Sequence, residues 1–371
     1  MSGIYIHIPF CRKKCAYCDF HFSTTFEGYR TAMVEQMLEE LVCRLQTWKK
    51  PIETIYFGGG SPGLLTPFEI EAFLTKIHAH TSLVKTVEIT LEANPEDLTK
   101  QNLNAWNRLG INRLSLGVQS VQDRLLQWMN RNHNANDIFT GLERLSHYPF
   151  SLSMDVIFGI PNQNVSDLEP LIALVKANRI DHVSAYALTK EPKTLLDHWI
   201  KTGKHKPVDD EEQIVQYEYL REQLLTLGFE QYEVSNYARN KAYAKHNSNY
   251  WKRKPYLGVG PGAHSFDGLN ERRWNVSNNA RYLKQTSWYE LETLDAIDQW
   301  NERWLTGLRT QYGVSFQELN ALGGLTTGET KTINSLIQSN KMMLNEKGYS
   351  LPKDAFIEAD RISAMLFRLH D

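Results

Sequence analysis

Three of the four cysteines in this chain lie close together, at Cys11, Cys15 and Cys18. The spacing C-x3-C-x2-C lets three thiolates hold one small iron–sulfur cluster and leaves that cluster one protein ligand short. Four-cysteine clusters are closed electron carriers, whereas a three-cysteine cluster keeps an open iron for chemistry. A zinc site completed by His7 or His21 is one alternative, and a pair of redox thiols is another. The cysteines favour the cluster, because the sequence has no second ligand pair of the kind that zinc knuckles use.

Polar and glycine residues that could contact a ligand follow several predicted strands. The segment 57–62 (FGGGSP) begins at a strand end, and its three glycines let the backbone approach a ligand closely. Its carbonyl groups suit an ammonium group, and it lacks the G-K-[ST] ending of a phosphate loop. Each polar residue fits a structural hydrogen bond as well as a ligand contact, but their common position favours ligand binding. They are Glu92, Asn94, Ser115, Gln119, Arg131 and Asp155.

The elements that position these residues alternate between short apolar runs and amphipathic segments. Strands are predicted at 4–8, 54–57, 87–92, 113–117, 152–158 and 182–188. Helices are predicted near 28–48, 67–79, 98–108, 121–146 and 166–177. This alternation predicts an α/β fold of parallel βα units, in the form of a partial (β/α)6 barrel of the TIM type. In such barrels the ligand site lies at the carboxyl ends of the strands.

The pattern changes after about residue 205. A helix is predicted near 209–227, and short runs rich in Tyr, Asn and Gly follow it. From residue 291 onward the sequence indicates helices, a glycine turn at 323–324 and a short strand near Tyr349. We therefore expect a barrel over 1–205, a barrel extension and linker over 206–285, and a small helical or winged-helix-like domain over 286–371.

Composition restricts the possible functions. The 371 residues carry a formal net charge of -2, which gives no electrostatic footprint for nucleic acid. Neither a transmembrane segment nor a signal peptide is expected, because no apolar run is long enough. Four cysteines with three of them crowded together do not form a disulfide framework. A reducing cytoplasmic location is therefore expected, with Cys43 as a buried small apolar residue.

These motifs together resemble the radical S-adenosylmethionine (SAM) superfamily. In that superfamily the amino and carboxylate groups of SAM occupy the fourth corner of a [4Fe–4S] cluster, which reductively splits SAM to a 5′-deoxyadenosyl radical. More narrowly, the segments YIHIPFC, GGGSP, LEANP, RLSLGVQS and DVIFGIP resemble one branch of it. That branch contains oxygen-independent coproporphyrinogen III oxidase (HemN) and the haem chaperones called HemW. The resemblance runs through nearly the whole chain and is most specific in the barrel.

The resemblance implies a role for each site residue. Cys11, Cys15 and Cys18 would hold the cluster, and Tyr5 and Tyr17 would lie beside the cluster or SAM. The methionyl end of SAM would meet the glycine loop at Gly59, Gly60 and Ser61. The rest of the SAM pocket would be lined by Glu92, Gln119, Arg131 and Asp155.

Three features separate the chaperones from the oxidase within this resemblance. The oxidase carries a fourth cysteine two residues after the triad, where Phe20 stands in this chain. It also has a substantial N-terminal extension, whereas ten residues precede Cys11 here. Finally, the segment 246–251 (HNSNYW) matches the H-N-x-x-Y-W motif of HemW-like proteins. All three features favour the chaperone.

His246 in that motif is a candidate haem ligand. Imidazole is a common axial ligand of haem iron, and Tyr250 and Trp251 would offer a flat apolar surface to a porphyrin. The alternative is a histidine that only makes hydrogen bonds in a packed loop. His264 is a weaker candidate. Many relatives have a cysteine two residues before the motif histidine, but Ala244 excludes a thiol ligand there.

The leading hypothesis is a haem chaperone that binds the cluster, SAM and haem, and that transfers haem to an acceptor haemoprotein. The cluster and SAM would then regulate assembly or transfer instead of supporting turnover, so the sequence leaves enzymatic activity undecided. One alternative is the oxidase reaction, the anaerobic decarboxylation of coproporphyrinogen III in porphyrin biosynthesis. A second is radical modification of RNA, against which the neutral charge argues. The oligomeric state is left open, with a homodimer as one option.

Overall fold

A row of six parallel strands forms the centre of the structure, which is a computed structural model and describes residues 1–207, 209–284 and 289–370. The strands pair in chain order: β1 (Ser2–Ile8), β2 (Ile52–Gly59), β3 (Leu83–Ala93), β4 (Arg113–Gln119), β5 (Ser151–Phe158) and β6 (His182–Ala187). The connecting helices are α1 (Arg30–Thr47), α2 (Pro67–His80), α3 (Lys100–Arg108), α4 (Asp123–Trp128), α5 (Ala135–Leu145) and α6 (Val165–Ala177). Short 3-10 turns span Glu27–Tyr29, Pro62–Leu64 and Pro95–Asp97. All six predicted strands are present.

Further strands occupy both edges of this row. The edge of β6 pairs antiparallel with β8 (Asn236–Ala238), which in turn pairs with β7 (Glu230–Gln231). The edge of β1 pairs parallel with β9 (Tyr256–Val259). Beyond β9 follow β10 (His264–Phe266), β11 (Glu271–Asn275) and β12 (Tyr289–Thr293), all antiparallel. The result is an open sheet of 12 strands, which confirms the predicted partial barrel.

Alternate residues along the strands have different chemistry. On β1 the residues Ile4, Ile6 and Ile8 are fully buried and belong to the apolar core that the helices cover. On most of the six strands, the residues that alternate with the buried apolar ones are polar or glycine. They stand side by side across the sheet, in the pairs Tyr5–Tyr56, Glu92–Ser115, Ser115–Ser153 and Asp155–Ser184. The strand register therefore collects polar side chains on the face opposite the helices.

The prediction of one continuous helix over 121–146 is wrong, because two helices occupy this stretch. The first helix, α4, ends at Trp128, and Asn130 then takes a left-handed backbone conformation with φ 60°. Asn134 begins α5 with a capping box in which its side chain accepts a hydrogen bond from the backbone N–H of Asp137. The break places Arg131 in a loop at the carboxyl end of the barrel instead of on a helix surface.

The remainder of the chain adds helices and a second, separate apolar core. The barrel extension contains α7 (Leu195–Lys201), α8 (Asp210–Thr226), α9 (Lys245–Trp251) and α10 (Asn279–Lys284). The second core contains Trp300, Trp304 and Phe356. Its elements are α11 (Ala296–Leu308), β13 (Val314–Ser315), α12 (Phe316–Ala321), α13 (Thr327–Gln338), β14 (Met343–Leu344), β15 (Gly348–Ser350), a 3-10 turn (Lys353–Glu358) and α14 (Ala359–Ala364). The order from α11 to β15 is helix, strand, helix, helix, strand, strand, as in a winged helix. This order confirms the expected helical or winged-helix-like part of the fold class.

The predicted division into three parts stays a prediction. Its second boundary, between residues 285 and 286, lies outside the described residues. Among the helices of the described ranges, none is both long and apolar enough to cross a membrane.

Candidate functional site

The three clustered cysteines lie in the loop that follows β1. The backbone N–H of Cys11 donates to the carbonyl of Ser23 at 3.0 Å, and that of Ala16 donates to the carbonyl of Met129 at 3.0 Å. The N–H of Ser61 donates to the carbonyl of Phe10 at 2.7 Å. The loop is therefore fastened to the glycine segment after β2 and to the end of α4. These hydrogen bonds hold the thiols at the carboxyl end of the barrel, as barrel architecture predicts.

A cavity of about 410 Å³ opens beside this loop. The residues that the sequence assigned to the cluster and SAM come together in its wall, with the exception of Tyr5. The members present are Cys11, Cys15, Tyr17, Cys18, Gly59, Gly60, Ser61, Glu92, Gln119, Arg131 and Asp155. The size lies within the range of small-molecule sites, about 300–1,000 Å³. Tyr5 is absent from this wall, and so is the haem candidate His246.

The spread of the three thiols suits an iron–sulfur cluster better than a single zinc ion. In the described part of the chain, only Asp295, Asp298 and His370 bring three metal-ligating atoms within 4.8 Å of one another. The cysteine sulfurs are therefore spread more widely than that. Thiolates around one tetrahedral zinc, at about 2.3 Å each, stand roughly 3.8 Å apart. An all-sulfur donor set of this width fits a cluster, so the cage and the group that the resemblance implies agree.

The protonation state of the thiols also depends on a bound metal. Burial raises the pKa of Cys11 to about 11 and that of Cys18 to about 12. Both thiols are therefore neutral at pH 7 in the metal-free protein. A metal cation stabilises the thiolate form, because its charge replaces the hydration that burial removes. Cluster binding at these cysteines should therefore release protons.

Arg131 is the cation that lies against the cysteine cage. Its Nη1 donates to Sγ of Cys15 at 3.4 Å, while its Nη2 donates to Oδ1 of Asn94 at 2.5 Å and to the carbonyl of Gly117 at 2.9 Å. The two oxygen acceptors fix the guanidinium in one orientation. A fixed positive charge beside a thiolate ligand offsets part of the negative charge of a cysteine-ligated cluster.

The glycine loop approaches the cage so closely that side chains would not fit. A Cβ on Gly60 would lie 2.5 Å from the carbonyl oxygen of Phe10 and 3.0 Å from Sγ of Cys11. Gly59 has φ of +104°, a backbone conformation that favours glycine. The hydroxyl of Ser61 donates to Sγ of Cys11 at 3.6 Å. This segment therefore brings its backbone against the cysteine cage, and its contact with a ligand stays a prediction.

Two carboxyl groups, those of Glu92 and Asp155, also line the cavity. Oε1 of Glu92 accepts a hydrogen bond from the Tyr56 hydroxyl at 2.7 Å, and its Oε2 accepts one from the Gly59 N–H at 3.1 Å. Burial, with the nearby Asp155 carboxylate as a smaller cause, raises the pKa of Glu92 to about 7. Asp155 accepts from the Ser115 hydroxyl at 2.9 Å, and burial raises its pKa too.

Several buried polar atoms at this cavity are free to contact a ligand. Among the described residues, Oδ1 of Asp155, Oε1 of Gln119 and Nε of Arg131 have no hydrogen-bond partner. Unpaired buried polar atoms are costly in a protein interior and are usually satisfied by water or ligand. A polar ligand such as SAM would satisfy them, so the residues present fit that group as well.

The free energy of unfolding of the metal-free protein should depend on pH through Glu92. The pKa of Glu92 rises from 4.5 to about 7 on folding. Its stabilising contribution is therefore complete below pH 4.5 and is lost as the pH rises to about 7. Glu92→Gln keeps a neutral side chain, so its stability should fall less than that of the wild type over this interval. Urea unfolding at a series of pH values measures both proteins, and parallel stability curves would contradict the assignment.

His246 packs against β2 and β3 through Thr54 and Glu88, while the next residue of its motif, Asn247, lines the cluster cavity. The backbone N–H groups of Lys245 and His246, which begin α9, donate to the Glu88 carboxylate at 3.1 and 3.0 Å. Nδ1 of His246 pairs with the Thr54 hydroxyl at 2.8 Å, and its Nε2 pairs with the Tyr250 hydroxyl at 2.8 Å. The ring is buried, and burial lowers its pKa to about 3.

Haem ligation by His246 thus requires the loss of one of these hydrogen bonds, and it stays a prediction. The geometry matches the alternative reading, a histidine that makes hydrogen bonds in a packed loop. Tyr5 belongs to the same layer, because its ring lies 6.0 Å from Tyr56 and 6.3 Å from His246 between centroids.

Some residues of the site were not predicted from the sequence. Tyr56 and Tyr186 both line the cavity, and Tyr56 binds Glu92 directly. Asn247 of the H-N-x-x-Y-W motif reaches the cavity as well. The sequence did contain a signal for Tyr56. This residue lies between the apolar residues Ile55 and Phe57, so its side chain faces the same side of the sheet as Gly58 in the glycine loop.

Comparison with known proteins places these features in a family context. Residues 5–175 match the profile of the radical SAM superfamily. The chain is 34% identical to "Heme chaperone HemW" of Synechocystis sp., over 86% of this chain and 80% of the relative. It is 32% identical to the protein of the same name from Bacillus subtilis, over 94% and 92% of the two chains. It is also 32% identical to the bovine mitochondrial "Radical S-adenosyl methionine domain-containing protein 1", over 94% and 83%.

A solved structure confirms the fold over nearly all of the chain. Coproporphyrinogen III oxidase (HemN) from Escherichia coli superposes with a TM-score of 0.83, over 98% of this chain and 90% of that chain. The sequence identity is 18%, so this likeness is evidence for the fold alone.

Proposed function

The chain belongs to the HemW family of the radical SAM superfamily, and from this membership we propose that it is a haem chaperone. It binds a [4Fe–4S] cluster, SAM and haem, and it transfers haem to an acceptor haemoprotein. The observation that carries the proposal is the identity of 32% or more to chaperones of that name over most of both chains. The identity to the oxidase of known structure is only 18%.

In this proposal the three cysteines bind the cluster and leave one iron for SAM. The cluster supplies a one-electron reductant and an open coordination position when it is bound. Arg131 holds its charge against the Cys15 thiolate, and Asn94 and Gly117 fix the guanidinium there. The Gly60 backbone packs against the Cys11 thiol at a position where a side chain would not fit.

SAM binding is assigned to the same cavity. The backbone of Gly59 and Gly60 with Ser61 meets the methionyl end, and the unpaired atoms of Gln119 and Asp155 take hydrogen bonds from SAM. Glu92, anchored by Tyr56, accepts from a ligand hydroxyl in either protonation state. The position of each residue in the cavity wall supports these roles.

Phe20 supports a chaperone over the oxidase. It stands where the oxidase has its fourth cysteine, and 64% of its surface is exposed at the rim of the cavity. An exposed apolar ring at a cavity mouth suits contact with an apolar macrocycle or with a protein surface. We also propose a reducing cytoplasmic location, because thiols that are to bind a cluster must stay reduced.

Haem binding and transfer test the proposal. Anaerobically reconstituted protein is titrated with haem and followed by absorbance, then mixed with an apo-haemoprotein whose holo spectrum is distinct. We expect saturable haem binding. We also expect the absorbance spectrum of the haem-loaded acceptor to increase by more than an equal concentration of free haem produces. Haem affinity no higher than that of an unrelated control protein would refute the chaperone. Formation of protoporphyrinogen from coproporphyrinogen III with SAM would identify the oxidase instead.

A further inference from the structure

A second cavity, of about 730 Å³, lies next to the cluster cavity. Helix α9, strands β9 to β11 and helix α11 contribute to its wall, together with the segment 19–22 that follows the cysteines. Asp19, Phe20 and Phe22 belong to the walls of both cavities. The second cavity is therefore a neighbour of the cluster site, separated from it by the end of the cysteine loop.

Aromatic side chains supply most of the apolar surface of this cavity. Tyr250 and Tyr256 contact each other edge to face, with centroids 4.6 Å apart. Trp251 and Phe266 add further ring surface, and the exposed ring of Phe20 stands at the boundary with the first cavity. Rigid aromatic walls suit a large flat apolar ligand.

His264 is the histidine at this cavity whose ring is free to bind a metal. Its side chain is exposed, and neither ring nitrogen has a hydrogen-bond partner among the described residues. The other two histidines of the wall are engaged. His7 uses both nitrogens, with Tyr5 at 3.1 Å and the carbonyl of His21 at 2.8 Å, while Nε2 of His21 pairs with Asn279 at 2.7 Å.

The ring of His264 is also held in place by packing. It stacks on Trp274, with centroids 6.1 Å apart and an angle of 28° between the planes. The two residues stand opposite each other on β10 and β11. A histidine on a paired strand that stacks on a neighbouring ring is a well-positioned axial ligand, because its orientation costs little entropy on binding.

The charges at the cavity suit a ligand with carboxylates. Arg253 and Arg272 both form ion pairs with Glu302, and all three residues line the wall. Two guanidinium groups share this one carboxylate, and a second, more exposed carboxylate, Glu292, lies 3.9 Å from Arg272. The guanidinium of Arg272 is partly exposed, so it can take a further carboxylate in a charge-assisted hydrogen bond.

We propose that this second cavity binds the haem cargo, with His264 as the axial ligand of the iron and Arg272 paired with a propionate; this rests on the proposed function. The aromatic walls, a free imidazole and a cation together match a flat macrocycle that has an iron centre and carboxylate arms. The macrocycle then lies against Phe20, and the segment 19–22 connects the haem with the cluster loop.

Haem titration of reconstituted His264→Ala tests the proposal, with His147→Ala as the matched control because His147 is exposed and far along the chain from both cavities. We expect the dissociation constant to rise at least tenfold and the haem spectrum to lose its imidazole-ligand character in His264→Ala alone. Added free imidazole should restore the spectrum, which loss of a purely structural histidine would not allow.

Thr306→Trp, which fills the cavity from α11, provides a second variant that leaves His264 intact. We expect it to weaken haem binding by a similar factor at unchanged iron and sulfide content. Unchanged affinity and spectrum in His264→Ala, or loss of the spectrum in His246→Ala instead, would overturn the assignment of the ligand while the chaperone stands. Absence of haem binding by the wild type would refute the proposed function itself.

Discussion

Cys15→Ala is expected to reduce the iron and sulfide bound after anaerobic reconstitution to background. The sequence offers three clustered thiols, and one of a cluster's four irons is left to SAM. Removal of one thiolate leaves two protein ligands, which cannot retain the cluster against exchange with solvent thiols. The content of iron and sulfide per chain, together with visible absorbance, measures the effect.

Cys43→Ala is the control for this experiment. The sequence predicted Cys43 as a buried apolar residue, but the structure places it exposed on α1, apart from the three clustered thiols. We expect its removal to leave the iron content unchanged. Full cluster content in Cys15→Ala, or loss of iron in Cys43→Ala, would contradict the assignment of the three ligands.

Arg131→Ala is expected to lower the reduction potential of the cluster by roughly 100 mV. One positive charge at a separation of roughly 7 Å and an effective dielectric constant near 20 would stabilise the added electron by about 2.4 kcal/mol. For a one-electron couple this corresponds to about 100 mV. The variant also loses the hydrogen bond to Sγ of Cys15, which acts in the same direction. A redox titration followed by electron paramagnetic resonance (EPR) measures the shift.

Arg131→Lys separates charge from geometry in this experiment. The lysine retains a positive charge but cannot reach Asn94, Gly117 and Cys15 from one planar group. We expect a smaller negative shift than in Arg131→Ala. A potential that stays the same in Arg131→Ala would show that this guanidinium does not act on the cluster.

The strands of the barrel could be predicted from sequence because their signals are local. β1, β4 and β5 alternate apolar residues with polar residues or glycine, and each meets a turn or a polar group where it ends. The cavity wall followed from the rule that barrel ligands lie at the carboxyl ends of strands, which brought Glu92, Gln119 and Asp155 together. These predictions needed only periodicity and a resemblance.

The position of the H-N-x-x-Y-W motif could not be predicted in the same way. Its location depends on two long-range contacts. Glu88 accepts a hydrogen bond from the His246 N–H at the start of α9, 158 positions away, and Thr54 pairs with the His246 ring, 192 positions away. Strands β7 to β10 have 2 to 4 residues each, too short for a reliable pattern. The second cavity is built largely from these parts. The sequence named Tyr250, Trp251 and His264 as haem candidates, but it could not show that they share one cavity.

The helix break at Asn130 shows a different limit. The amphipathic pattern continues across α4 and α5, so periodicity alone predicts one helix. The signals against it are Asn130, which tolerates a left-handed conformation, and the Asn134 and Asp137 capping box. These local polar residues outweigh the apolar period and create the loop that carries Arg131.

EPR of the reduced, reconstituted protein with and without SAM tests whether SAM binds the iron that the three cysteines leave open. This assignment predicts about four irons per chain and a cluster spectrum that changes when SAM is added, because SAM binds the iron that no cysteine holds. Zinc in place of iron, or a cluster spectrum that SAM leaves unchanged, would contradict it.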